Sequence, residues 1–104
     1  MFNLDNQFYS PVKRETLEAL NRYGRDGIPT GDFLRAVLSN DFSGAIGRAD
    51  EENLAAIHQI ACYVHNELPS ECHGSPEIVK AWVKAKMNGR EAAMAIRGVA
   101  GIAE

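Results

Sequence analysis

Between Tyr23 and Asp50 the chain reads YGRDGIPTGDFLRAVLSNDFSGAIGRAD, and this stretch limits the fold more than any other. Gly24 and Gly27 suit the left-handed conformation that ends a helix. Pro29 forces Ile28 to be extended. Thr30, Asp41 and Asp50 can each cap a helix that follows. The apolar runs between these signals are too short for long helices. Such a chain folds by packing short helices around shared apolar seams.

The same reading extends outward. Ser10-Pro11 predicts a helix opening, with Val12, Leu17, Leu20 and Tyr23 at helical spacing, so a first helix is expected over 11–24. A second is expected from a Thr30 cap to Asn40, burying Phe33, Leu34, Val37 and Leu38. Asp41 caps a further turn, with Phe42, Ala45 and Ile46 facing inward. Asp50-Glu51-Glu52 places acids where the helix dipole favours them. The stripe Leu54, Ile57, Ala61, Val64, Leu68 then predicts one helix that Pro69 stops. Ser75-Pro76 opens the next, with Ile78, Val79, Trp82 and Val83 inward, and Asn88-Gly89 closes it. No sustained alternation of strand type appears. The expected class is all-α: a compact single domain of four to five short helices over 11–89, an amino-terminal arm over 1–10 and a helical tail over 90–104.

With 104 residues the chain suits one domain. Its net charge of −3 argues against bulk binding of nucleic acid, which needs a basic face. The charge is uneven. Residues 41–75 hold six acidic side chains and one basic, a net −5, while residues 76–104 hold five basic and three acidic, a net +2. No run approaches about 18 apolar residues, so no membrane span is expected. A cytoplasmic setting with Cys62 and Cys72 reduced is the default.

The helical block resembles a group of small, mostly uncharacterised phage and prophage proteins. The resemblance covers Thr16–Val83 and rests on Tyr23, the Pro29-Thr30-Gly31-Asp32-Phe33-Leu34 turn, Asn40-Asp41, Arg48-Ala49-Asp50, Gly74-Ser75-Pro76 and Trp82. It implies an accessory role in the host cell cytoplasm, with antiviral defence as the expected target. Members of the group do not share His58 and His65.

The residues suggest four kinds of chemistry. The Thr30 helix start, with Tyr23, Arg25, Arg35, Asn40 and Arg48 around it, would suit a small anionic, nucleotide-like ligand. The bland alternative makes Thr30 and Asp41 simple caps, pairs Arg35 and Arg48 with Asp32 and Asp50, and buries Tyr23. His58, Cys62 and His65 fall on one helical face, with Cys72 and His73 in the next loop. Cysteine and neutral histidine are zinc ligands, but this spacing is not that of a standard zinc motif, and no metal or other cofactor is expected. A thiol in mid-helix without oxyanion donors makes a poor nucleophile, so no enzyme is expected. A helix-turn-helix over 11–40 would offer Arg35 as the second helix's one cation, too few to read DNA well.

The expectation is therefore a non-enzymatic accessory protein that inhibits a host component. It would do so by occluding a protein surface through the acidic 41–75 face or the apolar ends. The alternatives are sequestration of a nucleotide-like signal at Tyr23, Thr30, Arg35 and Arg48, and a sequence-specific DNA-binding regulator. A homodimer or higher oligomer is a further expectation, since small domains gain stability by associating.

Overall fold

The structure, a computed structural model, describes the backbone of residues 7–103 and the side chains through Gly89. Six α-helices follow one another: α1 Arg14–Asp26, α2 Asp32–Leu38, α3 Phe42–Arg48, α4 Glu51–Ala55, α5 Ile57–Glu67 and α6 Pro76–Ala103. Short 3-10 turns at Gln7–Tyr9 and Ser70–Cys72 precede α1 and α6. No strand occurs among the described residues. The protein is an all-α domain. Leu20, Tyr23, Leu38, Ile60, Tyr63 and Cys72 are its largest fully buried side chains.

The cap signals predict boundaries well where they act locally. Gly27 ends α1 at φ +67°, and its N–H bonds the Tyr23 carbonyl at 2.8 Å. Asp41 accepts from the Gly44 N–H at 3.0 Å and Asp50 from the Asn53 N–H at 2.7 Å, so both are true caps. Two expected starts differ. Ser10-Pro11 lies in a turn, and α1 begins after Lys13, which makes no side-chain cap bond. Val12 N–H is already taken by the Tyr9 carbonyl at 2.9 Å, and this bond carries the turn past Pro11. At α2 the cap is Gly31, not Thr30, whose hydroxyl donates instead to the Gly31 carbonyl at 3.3 Å.

The expected single helix over 50–68 is broken at Ala56, which is only 2% exposed. The break resets the helical phase. Ala56, Ile60, Tyr63, Val64 and Leu68 become the buried set, while Leu54 and Ala61 turn outward. Tyr63 explains the choice. Its hydroxyl donates to Asn21 Oδ1 of α1 at 2.5 Å, and its ring meets Tyr9 edge-on at 4.9 Å. Seating a tyrosine with its polar end satisfied outweighs the cleaner aliphatic stripe. The same contact makes the described end of the arm part of the core. Tyr9 is buried and its hydroxyl donates to Glu67 at 3.3 Å. Residues 1–6 of the arm lie outside the described residues.

The last helix also departs from expectation. Asn88-Gly89 does not close it, and α6 continues to Ala103. A glycine ends a helix by turning left-handed, and the positive-φ glycines of the described chain are Gly27 and Gly74. Gly89 stays helical at the ordinary cost of about 1 kcal/mol relative to alanine. The helix is therefore long, 28 residues, where short helices were expected. Val79 faces inward as predicted and Trp82 and Val83 pack against the core, but Ile78 is exposed.

Candidate functional site

The packing of α6 against α2 builds the candidate site. Two pockets of about 300 and 310 Å³ lie along this junction and share Arg35, Val79 and Lys80. Together they form one groove. Val79, Val83 and Met87 give it an apolar wall from α6, and the Tyr23 ring and Pro29 close one end. Asp41 and Arg48 close the other.

Four of the six residues expected to bind a ligand meet here. Tyr23, Thr30 and Arg35 line one pocket, and Arg35 and Arg48 line the other. Their roles differ from the expected ones. Tyr23 is fully buried, and its hydroxyl is committed to the Cys72 carbonyl at 2.5 Å. It backs the groove from within the core and offers a ligand neither its ring nor its hydroxyl. Arg35 pairs with Asp32 at 2.6 Å, as the bland alternative has it. Arg48 does not pair with Asp50. Its guanidinium donates to the Gly44 carbonyl at 3.2 Å, and Asp50 holds Lys13 at 2.9 Å. The Asn53 amide and Lys13 together hold the Asp50 carboxyl below its usual range.

The other two expected residues stand apart. Arg25 is exposed, pairs with Asp26 at 3.0 Å and lines neither pocket. Asn40 takes φ +61° just after α2, and the following Asp41 N–H bonds back to the Ala36 carbonyl at 2.8 Å. That is the left-handed helix stop that asparagine tolerates better than other non-glycine residues. Its backbone role explains its place in the sequence, and its side chain lies on the other flank of α2.

Lys80 and Lys84 are the residues the sequence reading missed. They are exposed, one turn apart on α6, and both line the groove. Neither has an ion-pair partner among the described residues. The i, i+4 spacing was visible, but nothing local says which helix those lysines would face. With them the groove carries Arg35, Arg48, Lys80 and Lys84 against Asp32 and Asp41, two more cations than carboxylates. In a chain of net charge −3 this is a local reversal of sign.

The histidine and cysteine residues do not converge. His58 Nε2 lies 3.8 Å from Cys62 Sγ, while the His65 ring faces His73 at 6.3 Å. No group of three or more His, Cys, Asp or Glu side chains could hold a metal ion among the described residues. Both cysteines are free. Burial pushes the Cys72 thiol up to about 11, so its nucleophilic thiolate is scarce at neutral pH.

No helix among the described residues is long and apolar enough to cross a membrane. The chain matches no protein-family model, no curated protein and no solved structure.

Proposed function

We propose that this is a non-enzymatic binding protein whose α2–α6 groove holds a small anionic, nucleotide-like ligand. The observation that carries the reading is the pair Lys80 and Lys84. Two cations without ion-pair partners among the described residues stand near Arg35 along a groove whose wall is apolar. That combination suits a molecule with a charged end and a flat or apolar end. Charge-assisted hydrogen bonds to the two lysines would contribute about 1.5–3 kcal/mol each where the ligand excludes water. Contact with Val83 and Met87 would add apolar burial. Nothing along the groove pairs a nucleophile with a base, so the ligand would be held rather than turned over. In the setting implied by the phage-type resemblance, holding a host signal lowers its free concentration and blunts the defence it triggers.

The DNA-reading alternative finds less support. The cation of α2, Arg35, is tied to Asp32 one turn away and faces the groove. Occlusion of a host protein surface would use exposed apolar side chains, and these are spread over several elements, with Phe42 the most exposed and Met87 in the groove itself.

A thermal-shift and calorimetry panel of nucleoside monophosphates, diphosphates and cyclic nucleotides, with inorganic phosphate as control, tests the reading. A ligand at a hundred times its Kd should raise Tm by roughly 10–20 °C. Lys80→Glu and Lys84→Glu, both at exposed positions, should abolish the shift while leaving the unliganded Tm close to wild type. The reading fails if no anion of the panel stabilises the protein, or if the charge reversals leave binding intact.

A further inference from the structure

The other flank of α2 carries a second groove, larger and different in character. A cleft of about 620 Å³ runs between the end of α2, α5 and the loop at His73-Gly74. A small pocket of about 80 Å³ between α3 and α5 continues it, sharing Val37, Asn40 and Ala61. Along α5, Ile57, Ala61 and His65 face this trough at i, i+4 and i+8, about 12 Å of helix. Ala61 is small and exposed and gives the trough its depth. Phe42 stands at its edge, 69% exposed, with Ile46 one turn further along α3.

We infer that this trough docks an amphipathic helix of a partner protein, one with an apolar face and basic flanks. The inference gives a surface and a partner chemistry to the occlusion of a host protein, and it is independent of the anion groove. Three observations carry it. The first is shape: an apolar trough over two turns of α5 is what a helix's i, i+3, i+4 and i+7 anchors fill, and the described chain has no strand edge for an extended peptide to join.

The second is charge complementarity. Asp41 is the one carboxylate among the lining residues, and no lysine or arginine lines either part. The segment 41–75, which supplies α3, α4 and α5, carries a net −5. Of those acids Asp50 is paired with Lys13 and Glu67 accepts from Tyr9. It is therefore Asp41, at the trough, that basic flanks of the partner would meet and that would repel acidic flanks.

The third is an unmet polar group. His73 Nε2, at the loop end of the cleft, is buried without a hydrogen-bond partner. It gives the loop end of the trough a polar character that suits a helix terminus rather than an apolar anchor. Phe42 adds the anchor type that dominates interfaces, a large aromatic at the rim of a pocket.

The test uses the full chain and a dye-labelled Leu/Lys amphipathic peptide of roughly 14 residues, long enough to hold a helix. A Leu/Glu peptide of the same pattern is the control. Anisotropy should show saturable binding of the Leu/Lys peptide, weakened by salt, with the Leu/Glu peptide at least about tenfold weaker. Ala61→Phe fills the trough without changing charge, and Phe42→Ser removes the edge anchor at an exposed position. Each should weaken binding about tenfold while leaving the circular dichroism spectrum unchanged. Equal binding of both peptides, or full affinity in Ala61→Phe, overturns the inference. So does a wild-type dimer in light scattering that Ala61→Phe converts to monomer, which would give the trough to a second copy. Either failure would leave occlusion through another surface standing, because the variants change this trough alone.

Discussion

The Tyr23 hydroxyl donates to the backbone carbonyl of Cys72 at 2.5 Å, joining the last turn of α1 to the turn before α6, and both residues are fully buried. The Tyr23 carbonyl in turn accepts from Trp82 Nε1 at 3.0 Å. One residue therefore positions both the start of α6 and the helix itself, and with it the wall of the α2–α6 groove. Burial raises the Tyr23 phenol well above its ordinary range, so it stays a donor throughout the neutral region. Tyr23→Phe should lower the unfolding free energy by about 1–3 kcal/mol, because it leaves a buried carbonyl without its donor. Urea titration checks this: the midpoint should fall with the slope unchanged.

Glycine substitutions should split by position. At Gly27, φ is +67° and an added Cβ would run into Lys86 Cβ and Cγ of α6. Gly27→Ala should cost at least about 1–2 kcal/mol from the left-handed backbone alone, and should disturb the α1–α6 contact. Gly47 in α3 and Gly89 in α6 have nothing within 4 Å of such a Cβ, and both are helical. Gly47→Ala or Gly89→Ala should stabilise by up to about 1 kcal/mol. Thermal melts of the three variants would read out both signs.

The two thiols should react at very different rates. Cys72 is fully buried, and burial, with the charge of Glu71 adding to it, pushes its thiol up to about 11. Cys62 is partly exposed on α5. An aromatic disulfide reagent at neutral pH should titrate Cys62 quickly and Cys72 only as the protein opens, so denaturant should release the second equivalent. Cys62→Ser should remove the fast phase alone. Two fast equivalents in the native protein would contradict this burial.

Acid should destabilise the fold through His73. Burial disfavours its imidazolium, and the neighbouring His65 adds repulsion, so its folded pKa lies below 6.5. As pH falls through 6.5 the unfolded chain takes up this proton first. Stability contributed by neutral His73 is complete above that point and declines below it, until the folded pKa is reached. Urea midpoints should therefore fall between about pH 7.5 and 5.5, and His73→Asn should flatten that part of the slope. Carboxylates titrate lower and leave this window to histidine.

The chain's local signals carried a good part of this. Asp41 and Asp50 cap the helices they precede, and Gly27 stops α1, because a cap bond closes within three or four residues of backbone. Phe33, Leu34 and Leu38 are buried as their spacing predicts. Half of the candidate site was also visible, in Thr30, Arg35 and Arg48. The sequence misled where two local solutions competed. Ser10-Pro11 is as good a helix start as Ser75-Pro76, where Ser75 Oγ does accept from the Ile78 N–H at 3.1 Å. Only the second was used, since Tyr9 is drawn onto Tyr63 and takes the chain before Pro11 with it.

An all-α chain with one acidic and one basic segment was determined by the sequence itself, since helix periodicity, caps and charge are properties of neighbours along the backbone. The phase of α4 and α5, the passage of α6 through Gly89 and the exposure of Phe42 were decided by tertiary contacts. So was the meeting of Lys80 and Lys84 with Arg35, nearly half the chain away. Which face of a helix is buried depends on what comes to cover it, and Tyr63 reaching Asn21 or Trp82 reaching Tyr23 is a pairing that no local pattern encodes.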